Sequence, residues 1–422
     1  MQQRESTTTV GRPVARPVPG ASWQARVSDA SEISGRLNSL WRHYAEAQNQ
    51  LRPSPNGTGS DAPTRTVTAR AATLNLIAAA RSHPEANRVR QAIAALSDLY
   101  PSRATVLIAD PSHGTDDAPG MDVQVDLLEQ EASRGRPAIV FECVTVEVST
   151  ENERQLASIA APLLVPDLPD FLWWAADSAE GGALFGELVA ICDRLIVDSA
   201  VSLHAAGAMR TLLGFVRAPG DPAALSDFSW ARLTPWRRLT TQFFDVPAAQ
   251  PILDLIDEAT LTYGNSPHQW SGFTSALLYA GWLGSRLNWR TPGELLPVRG
   301  EPNVWRATLR AGAAGRQREV TLTLRPTARP LAASTLLDVR LAADGGKSGY
   351  FIVERLDQEE ISTTSDSPEM PSMVRTVYSP IPDDADLLGE ELRIFGCDPI
   401  FEAALAFAAD MAPEGFRGVK PK

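Results

Sequence analysis

Leu163-Leu164-Val165-Pro166-Asp167-Leu168-Pro169-Asp170-Phe171-Leu172-Trp173-Trp174 is the stretch on which the fold reading turns. Pro166 and Pro169 restrict the backbone just before an apolar run, so residues 171–174 read as a strand entered from a stiff loop. Within a strand, Trp173 and Trp174 point to opposite faces. Aromatic residues on both faces fit a strand buried from both sides, as in a parallel sheet covered by helices.

Outward from this block, strand and helix patterns alternate. Upstream, residues 66–79 are a strand candidate whose alanines also suit a helix, and 84–99 predict a helix with Pro84 in its first turn. Residues 104–109 form a short apolar run, 138–148 a β-branched strand and 152–161 a helix. Downstream come a helix at 183–192 and a strand at 195–197. This alternation predicts a mostly parallel sheet flanked by helices. Residues 201–290 read as mainly helical, with helices expected at 233–244, 252–260 and 269–287. After Pro292, residues 304–309, 319–324, 336–341 and 350–356 alternate like an antiparallel meander. Residues 374–379 add a further strand, and helices at 386–395 and 399–409 close the chain.

The expected class is α/β: an N-terminal mostly parallel sheet flanked by helices, a helical middle segment, and a C-terminal antiparallel sheet with closing helices (α+β). The boundaries drawn from texture are a flexible tail at 1–28 and a helix and linker at 29–64. An α/β domain follows at 65–215, then a helical segment packed on it at 216–292 and a β-rich α+β domain at 293–422.

Composition narrows the function classes. The 422 residues exceed what one core usually serves, and 44% hydrophobic with 21% charged residues is ordinary for a globular protein. A net charge of -12 opposes nucleic acid and anionic lipid as partners. Residues 1–28 lack the apolar core of a signal peptide, and the apolar run 273–283 is too short to span a bilayer. Cys143, Cys192 and Cys397 lie far apart, with no CxxC and no Cys/His cluster of zinc spacing. A cytoplasmic setting is therefore expected, with no metal and no cofactor.

No short catalytic motif emerges. There is no G-x-G-x-x-G after a strand and no G-x-S-x-G elbow. Asp344-Gly345-Gly346-Lys347-Ser348-Gly349 lies between two strands and reads as a hairpin turn rather than a phosphate loop. His43, His83, His113, His204 and His268 are scattered, and sequence alone pairs none of them with a carboxylate. No catalytic residue is singled out.

About twenty residues after the tryptophan pair comes Cys192-Asp193-Arg194-Leu195-Ile196-Val197-Asp198-Ser199-Ala200. Together the two blocks resemble the signature of the OpcA family. Pro101-Ser102-Arg103 upstream, and Glu390-Glu391-Leu392-Arg393 with Asp398-Pro399-Ile400-Phe401-Glu402 near the end, resemble further segments of that family in the same order. Arg103, Asp167, Pro169, Asp198 and Ser199 are its motif residues here. The resemblance implies a non-catalytic partner of the glucose-6-phosphate dehydrogenase oligomer, which promotes assembly and alters response to substrate in the oxidative pentose phosphate pathway. The alternative is a sugar-phosphate-binding protein or enzyme with an α/β fold. Two departures stand out: Tyr100 replaces the polar residue or His of many relatives, and the C-terminal region has only Cys397, so no local disulfide forms there.

Candidate partner contacts are Trp173, Trp174, Asp177, Trp230, Trp236 and Arg237, because Trp and Arg are enriched where proteins meet. The tryptophans and Arg237 have structural alternatives, whereas Asp177 reads as a rim charge. Trp173 and Trp174 suit a buried strand. The tract Phe228, Trp230, Leu233, Trp236, Arg237, Arg238 also suits an amphipathic helix whose arginine stems reach to water. Asp198 or Ser199 equally suits the cap of a following helix.

Overall fold

The computed structural model describes residues 15–50, 69–70, 72–112, 120–130, 138–176, 182–201, 205–220, 223–264, 271–291, 293–312, 317–327, 329, 331, 335–368, 370–394 and 396–413. The chain divides into two compact units: Met1–Ala175 with Ala183–Asp193, and Ala176–Gly182 with Arg194–Lys422. Residues 216–292 and 293–422, drawn as separate segments from texture, thus fall in one unit.

Unit 1 runs β1 (Arg16–Val27), α1 (Ala30–Gln50), β2 (Ala69–Arg70), β3 (Leu74–Ala80), α2 (His83–Leu96), β4 (Ser102–Asp110), β5 (Met121–Gln130), β6 (Ile139–Ser149), α3 (Arg154–Leu163), β7 (Asp170–Trp174) and α4 (Ala183–Val189). Strands β6, β4, β3 and β7 are parallel neighbours in that order. All seven residues of β3 are buried, its three alanines included, so the ambiguous segment settles as the inner strand of a sheet apolar on both faces. Helix α2 starts where its sequence asks it to: Ser82 accepts from the Glu85 N–H, and Pro84 occupies the first turn.

Two strands of this unit were not anticipated. β5 alternates, with Met121, Val123, Val125 and Leu127 inside, and pairs antiparallel with β6. β1 corrects the expectation of a flexible tail over residues 1–28: it pairs antiparallel with β5 from Arg16↔Glu129 to Val27↔Met121. The register shifts between Pro17 and Ser22, where Pro19 has no N–H to give to a ladder. Residues 1–14 of that expected tail, and 51–64 of the expected linker, lie outside the described residues.

Unit 2 runs β8 (Arg194–Val197), α5 (Ala205–Val216), β9 (Ala224–Asp227), α6 (Phe228–Arg232), α7 (Thr234–Gln242), α8 (Gln250–Leu253), β10 (Ile256–Gly264), α9 (Ser271–Arg286), β11 (Leu296–Pro297), β12 (Trp305–Ala311), β13 (Arg318–Thr327), β14 (Leu336–Ala343), β15 (Gly349–Arg355), β16 (Glu360–Ser367), β17 (Met370–Tyr378), α10 (Asp384–Glu391) and α11 (Pro399–Met411). β8 and β9 are parallel. The other strands form one sheet in the order β11-β12-β13-β10-β14-β15-β16-β17. Its ladders are antiparallel except β10 with β13.

The helix expected over 252–260 is instead mostly β10. From Ala259 onward the segment alternates, with Ala259, Leu261 and Tyr263 buried and Thr260 and Thr262 half-exposed. Period two with β-branched threonines favours a strand, and two flanking strands hold it in the sheet. Helix α9 covers β10, β13 and β14, and α11 lies on α9. A Cβ on Gly281 would come 2.2 Å from the Ala404 carbonyl, and one on Gly284 would meet the Phe407 ring at 2.4 Å. Glycine at both positions lets these two helices approach.

Candidate functional site

The motif residues gather into two polar networks, one in each unit. In unit 1 the network secures the Val165–Asp170 loop that leads into β7. Asn75 on β3 is 1% exposed. Its amide donates to the Val165 carbonyl at 2.9 Å and to Asp170 Oδ1 at 2.7 Å, and its oxygen accepts from the Val165 N–H at 2.9 Å. The Pro169 carbonyl accepts from the Asn75 N–H at 2.9 Å. Asp193 then receives the Asp170 N–H at 2.8 Å. Burial, with the Asp193 charge nearby, raises the Asp170 carboxyl above its usual range. Asp167 takes the left-handed conformation, φ 64°, which Asp tolerates better than most residues, and it stays exposed between the two prolines.

Arg103 stands at the amino end of β4. Its Nε donates to Glu142 Oε2 at 2.6 Å and its Nη1 to the Leu163 carbonyl at 3.1 Å, which closes the last turn of α3. Trp41 Nε1 donates to the other Glu142 oxygen at 2.6 Å. One buried carboxylate thereby ties α1 and β4 to β6.

In unit 2 the network is built around Asp198, directly after β8. Arg232 donates Nη1 and Nη2 to its two oxygens, each at 2.7 Å, and the Ala200 N–H at 3.1 Å caps the turn that Ser199 begins. The capping role weighed for Asp198 is therefore present alongside an ion pair. Asp227, fully buried, accepts from the Ser199 and Ser229 N–H groups at 3.0 and 2.9 Å through one oxygen. Its other oxygen and the Ser199 hydroxyl have no aligned hydrogen bond. Burial, reinforced by the charge of Asp198, pushes the Asp227 carboxyl up to about 6.

Beside this lies a buried guanidinium. Arg194 is 2% exposed; it donates to Ser226 Oγ at 2.5 Å and to the Gly396 carbonyl. Burial lowers its pKa, opposed by the charges of Glu391, Cys397 and Asp398. Glu391 is itself pushed up to about 7 by burial. Asp398 accepts from the Ile400 and Phe401 N–H groups to cap α11, and from Trp230 Nε1 at 3.0 Å.

The residues read as partner contacts sit as follows. Trp173 and Trp174 are 1% and 3% exposed, and Trp174 packs edge-on against Phe185 at 5.0 Å. Trp230 and Trp236 are 6% and 2% exposed. Arg237 is half-buried: its guanidinium lies 3.4 Å from the Trp230 ring centroid and donates to the Trp230 carbonyl at 2.8 Å, and burial lowers its pKa to about 10. The four tryptophans are core, which is the structural alternative weighed for them rather than the partner contact. Asp177 lies outside the described residues.

Sequence reading missed Asn75, Glu142, Asp227 and Arg232. Asp227 carried a legible signal, since an Asp directly before the helical Phe228 run is a cap pattern. The ion-pair partners carried none. The cysteines remain thiols, with Cys143 buried and its pKa pushed up to about 12 by burial. Among the described residues no helix is long and apolar enough to cross a membrane.

Comparison with known proteins agrees with the motif reading. The chain is 30% identical over 151 residues to the OxPP cycle protein OpcA of Synechocystis, covering 36% of this chain and 30% of that one. It is 36% identical over 154 residues to the protein of that name from Nostoc punctiforme, covering 36% and 31%. The matched stretch thus spans about a third of each relative. Among solved structures, levoglucosan dehydrogenase in complex with NADH and L-sorbose is 13% identical with a TM-score of 0.44, over 80% of this chain and 95% of that one. Gal80p of Kluyveromyces lactis is 8% identical with a TM-score of 0.45, over 79% and 86%. The N-terminal domain of the glucose-6-phosphate dehydrogenase subunit family matches residues 93–213, and its C-terminal domain matches 223–405. With both domains present in order across most of its length, the chain belongs to the OpcA family.

Proposed function

We propose that this chain is a non-catalytic assembly factor and allosteric activator of glucose-6-phosphate dehydrogenase in the oxidative pentose phosphate pathway. The observation that carries the reading is the ordered match to both domains of that enzyme's subunit family. The setting is cytoplasmic, and the partner is the dehydrogenase oligomer rather than nucleic acid or membrane. A partner shifts an equilibrium only by its difference in affinity for the two states, so activation requires tighter binding to the active oligomer.

The turn from β3 to α2 supports a role without dinucleotide chemistry. A dinucleotide site in a doubly wound sheet offers a glycine-rich turn and a free helix N-terminus to the pyrophosphate. Here the turn is Ala80-Arg81-Ser82-His83-Pro84-Glu85. Glu85 Oε2 accepts from the Arg81 N–H at 2.7 Å, and Ser82 Oγ caps the helix at 3.4 Å. A carboxylate therefore lies where a pyrophosphate would need donors, and it repels one.

The test is dehydrogenase activity against glucose-6-phosphate, using the enzyme of the same organism, with and without this protein. A saturable change in kinetics together with co-elution is expected, and the chain alone turns over no substrate. No kinetic change and no co-elution would sink the proposal. Turnover by the isolated chain would replace it with the enzyme reading.

A further inference from the structure

Outside these two networks, unit 1 brings three metal-competent side chains together. His83 opens α2 directly after β3, Asp110 is the last residue of β4, and Glu147 lies near the end of β6. Those strands are adjacent and parallel in the order β6-β4-β3, so the three residues meet at the sheet's carboxyl edge, where α/β folds place ligands. His83 Nε2 lies 3.1 Å from Glu147 Oε1 and 3.9 Å from Asp110 Oδ2. One ligand atom from each residue lies within 4.8 Å of the other two.

We propose that His83, Asp110 and Glu147 bind a divalent transition-metal cation of the Zn2+, Mn2+ or Co2+ kind. Such an ion holds its donors at about 2.0–2.2 Å. Neighbouring donors then lie about 3.0 Å apart at right angles, about 3.4 Å apart in a tetrahedron, and about 4.2 Å apart across the ion. The two His83 spacings, 3.1 and 3.9 Å, fall in this range, with a small adjustment left to the exposed imidazole. A lone ion pair would need one carboxylate on His83; two from separate strands converge here.

Charge and access fit as well. The carboxylate side chains are only 8% and 16% exposed, whereas His83 is 56% exposed. The fold thus fixes the anionic half and leaves the imidazole side open. Asp110 Oδ1 accepts from the Ser112 N–H at 2.7 Å and hydroxyl at 2.6 Å, which orients the carboxylate with Oδ2 toward His83. One imidazole with two carboxylates favours this class over all-oxygen sites for Ca2+ and over thiolate sites for softer ions. Three protein donors leave open positions for water or a further ligand.

The test uses the tag-free full chain, stripped with chelator. Co2+ is titrated with visible absorption as the readout, and Zn2+ by calorimetry. One equivalent is expected to bind, with a dissociation constant below about 10 µM. His83→Ala and Asp110→Asn should each weaken binding about tenfold or more, whereas His43→Ala, on the exposed face of α1, should not. Asp110→Asn keeps an acceptor for Ser112, and circular dichroism checks that each variant folds. Absence of saturable binding overturns the proposal, as does binding that His83→Ala leaves unchanged. Neither outcome depends on the dehydrogenase.

Discussion

Arg232 grips Asp198 in a two-armed ion pair, Nη1 to Oδ1 and Nη2 to Oδ2, both at 2.7 Å. Only 12% and 9% of the two side chains are exposed, and the Asp198 charge acts on buried Asp227. Removing the guanidinium would leave two carboxylates sharing a low-dielectric interior. Arg232→Ala is expected to cost about 3–5 kcal/mol in urea unfolding. Arg232→Lys, which keeps the charge but loses the fork, should cost less. A wild-type midpoint for the alanine variant would show that the pair contributes no stability.

Asp227 and Glu391 predict a pH dependence with a definite sign. Their folded pKa values, about 6 and about 7, lie above those of unfolded carboxyls. The folded chain therefore keeps protons that the unfolded chain releases. Stability from these groups is full below about pH 4 and is lost as pH rises through 6 and 7. Asp227→Asn removes one of the titrations while keeping an acceptor for the Ser199 and Ser229 N–H groups. Between about pH 5 and pH 8 the variant should lose about 1–2 kcal/mol less than the wild type. Parallel profiles of the two proteins would mean that Asp227 is already ionised at the acid end.

Glu142 receives both Trp41 Nε1 and Arg103 Nε at 2.6 Å. Arg103→Ala takes the guanidinium away from this carboxylate, which is 4% exposed as a residue, and uncaps the Leu163 carbonyl. The expected cost is about 2–4 kcal/mol by denaturant titration. Glu142→Gln on the Arg103→Ala background should recover part of that loss, because the amide does not carry the buried charge. If the second substitution made matters worse, the charge would not be the problem.

Asn75 holds the Val165–Asp170 loop through three side-chain hydrogen bonds. Asn75→Ala should cost about 2–3 kcal/mol and speed amide exchange at Val165, whose N–H loses its acceptor. Exchange at wild-type rates would show that the two prolines alone set the loop.

Much of this architecture is decided locally. Apolar runs alternating with helical periodicity determine β4, β6 and β7 with their helices. Period-two patterns determine β12, β13, β14 and β15, and Asp398 before Pro399 determines where α11 begins. Such patterns report the burial of neighbouring residues, which a chain carries in one dimension. Tertiary structure alone decides the rest. β1, rich in Pro and Gly, is a strand because β5 supplies its ladder, and β10 because two strands flank it. Whether Trp173 or Trp230 faces core or solvent depends on which helix lies over it. Arg232 finds Asp198 across 34 residues and Arg103 finds Glu142 across 39, while His83, Asp110 and Glu147 meet only because β3, β4 and β6 stand side by side. Strand order sets these distances, and charged side chains at strand ends leave no periodic trace of the partners it brings them.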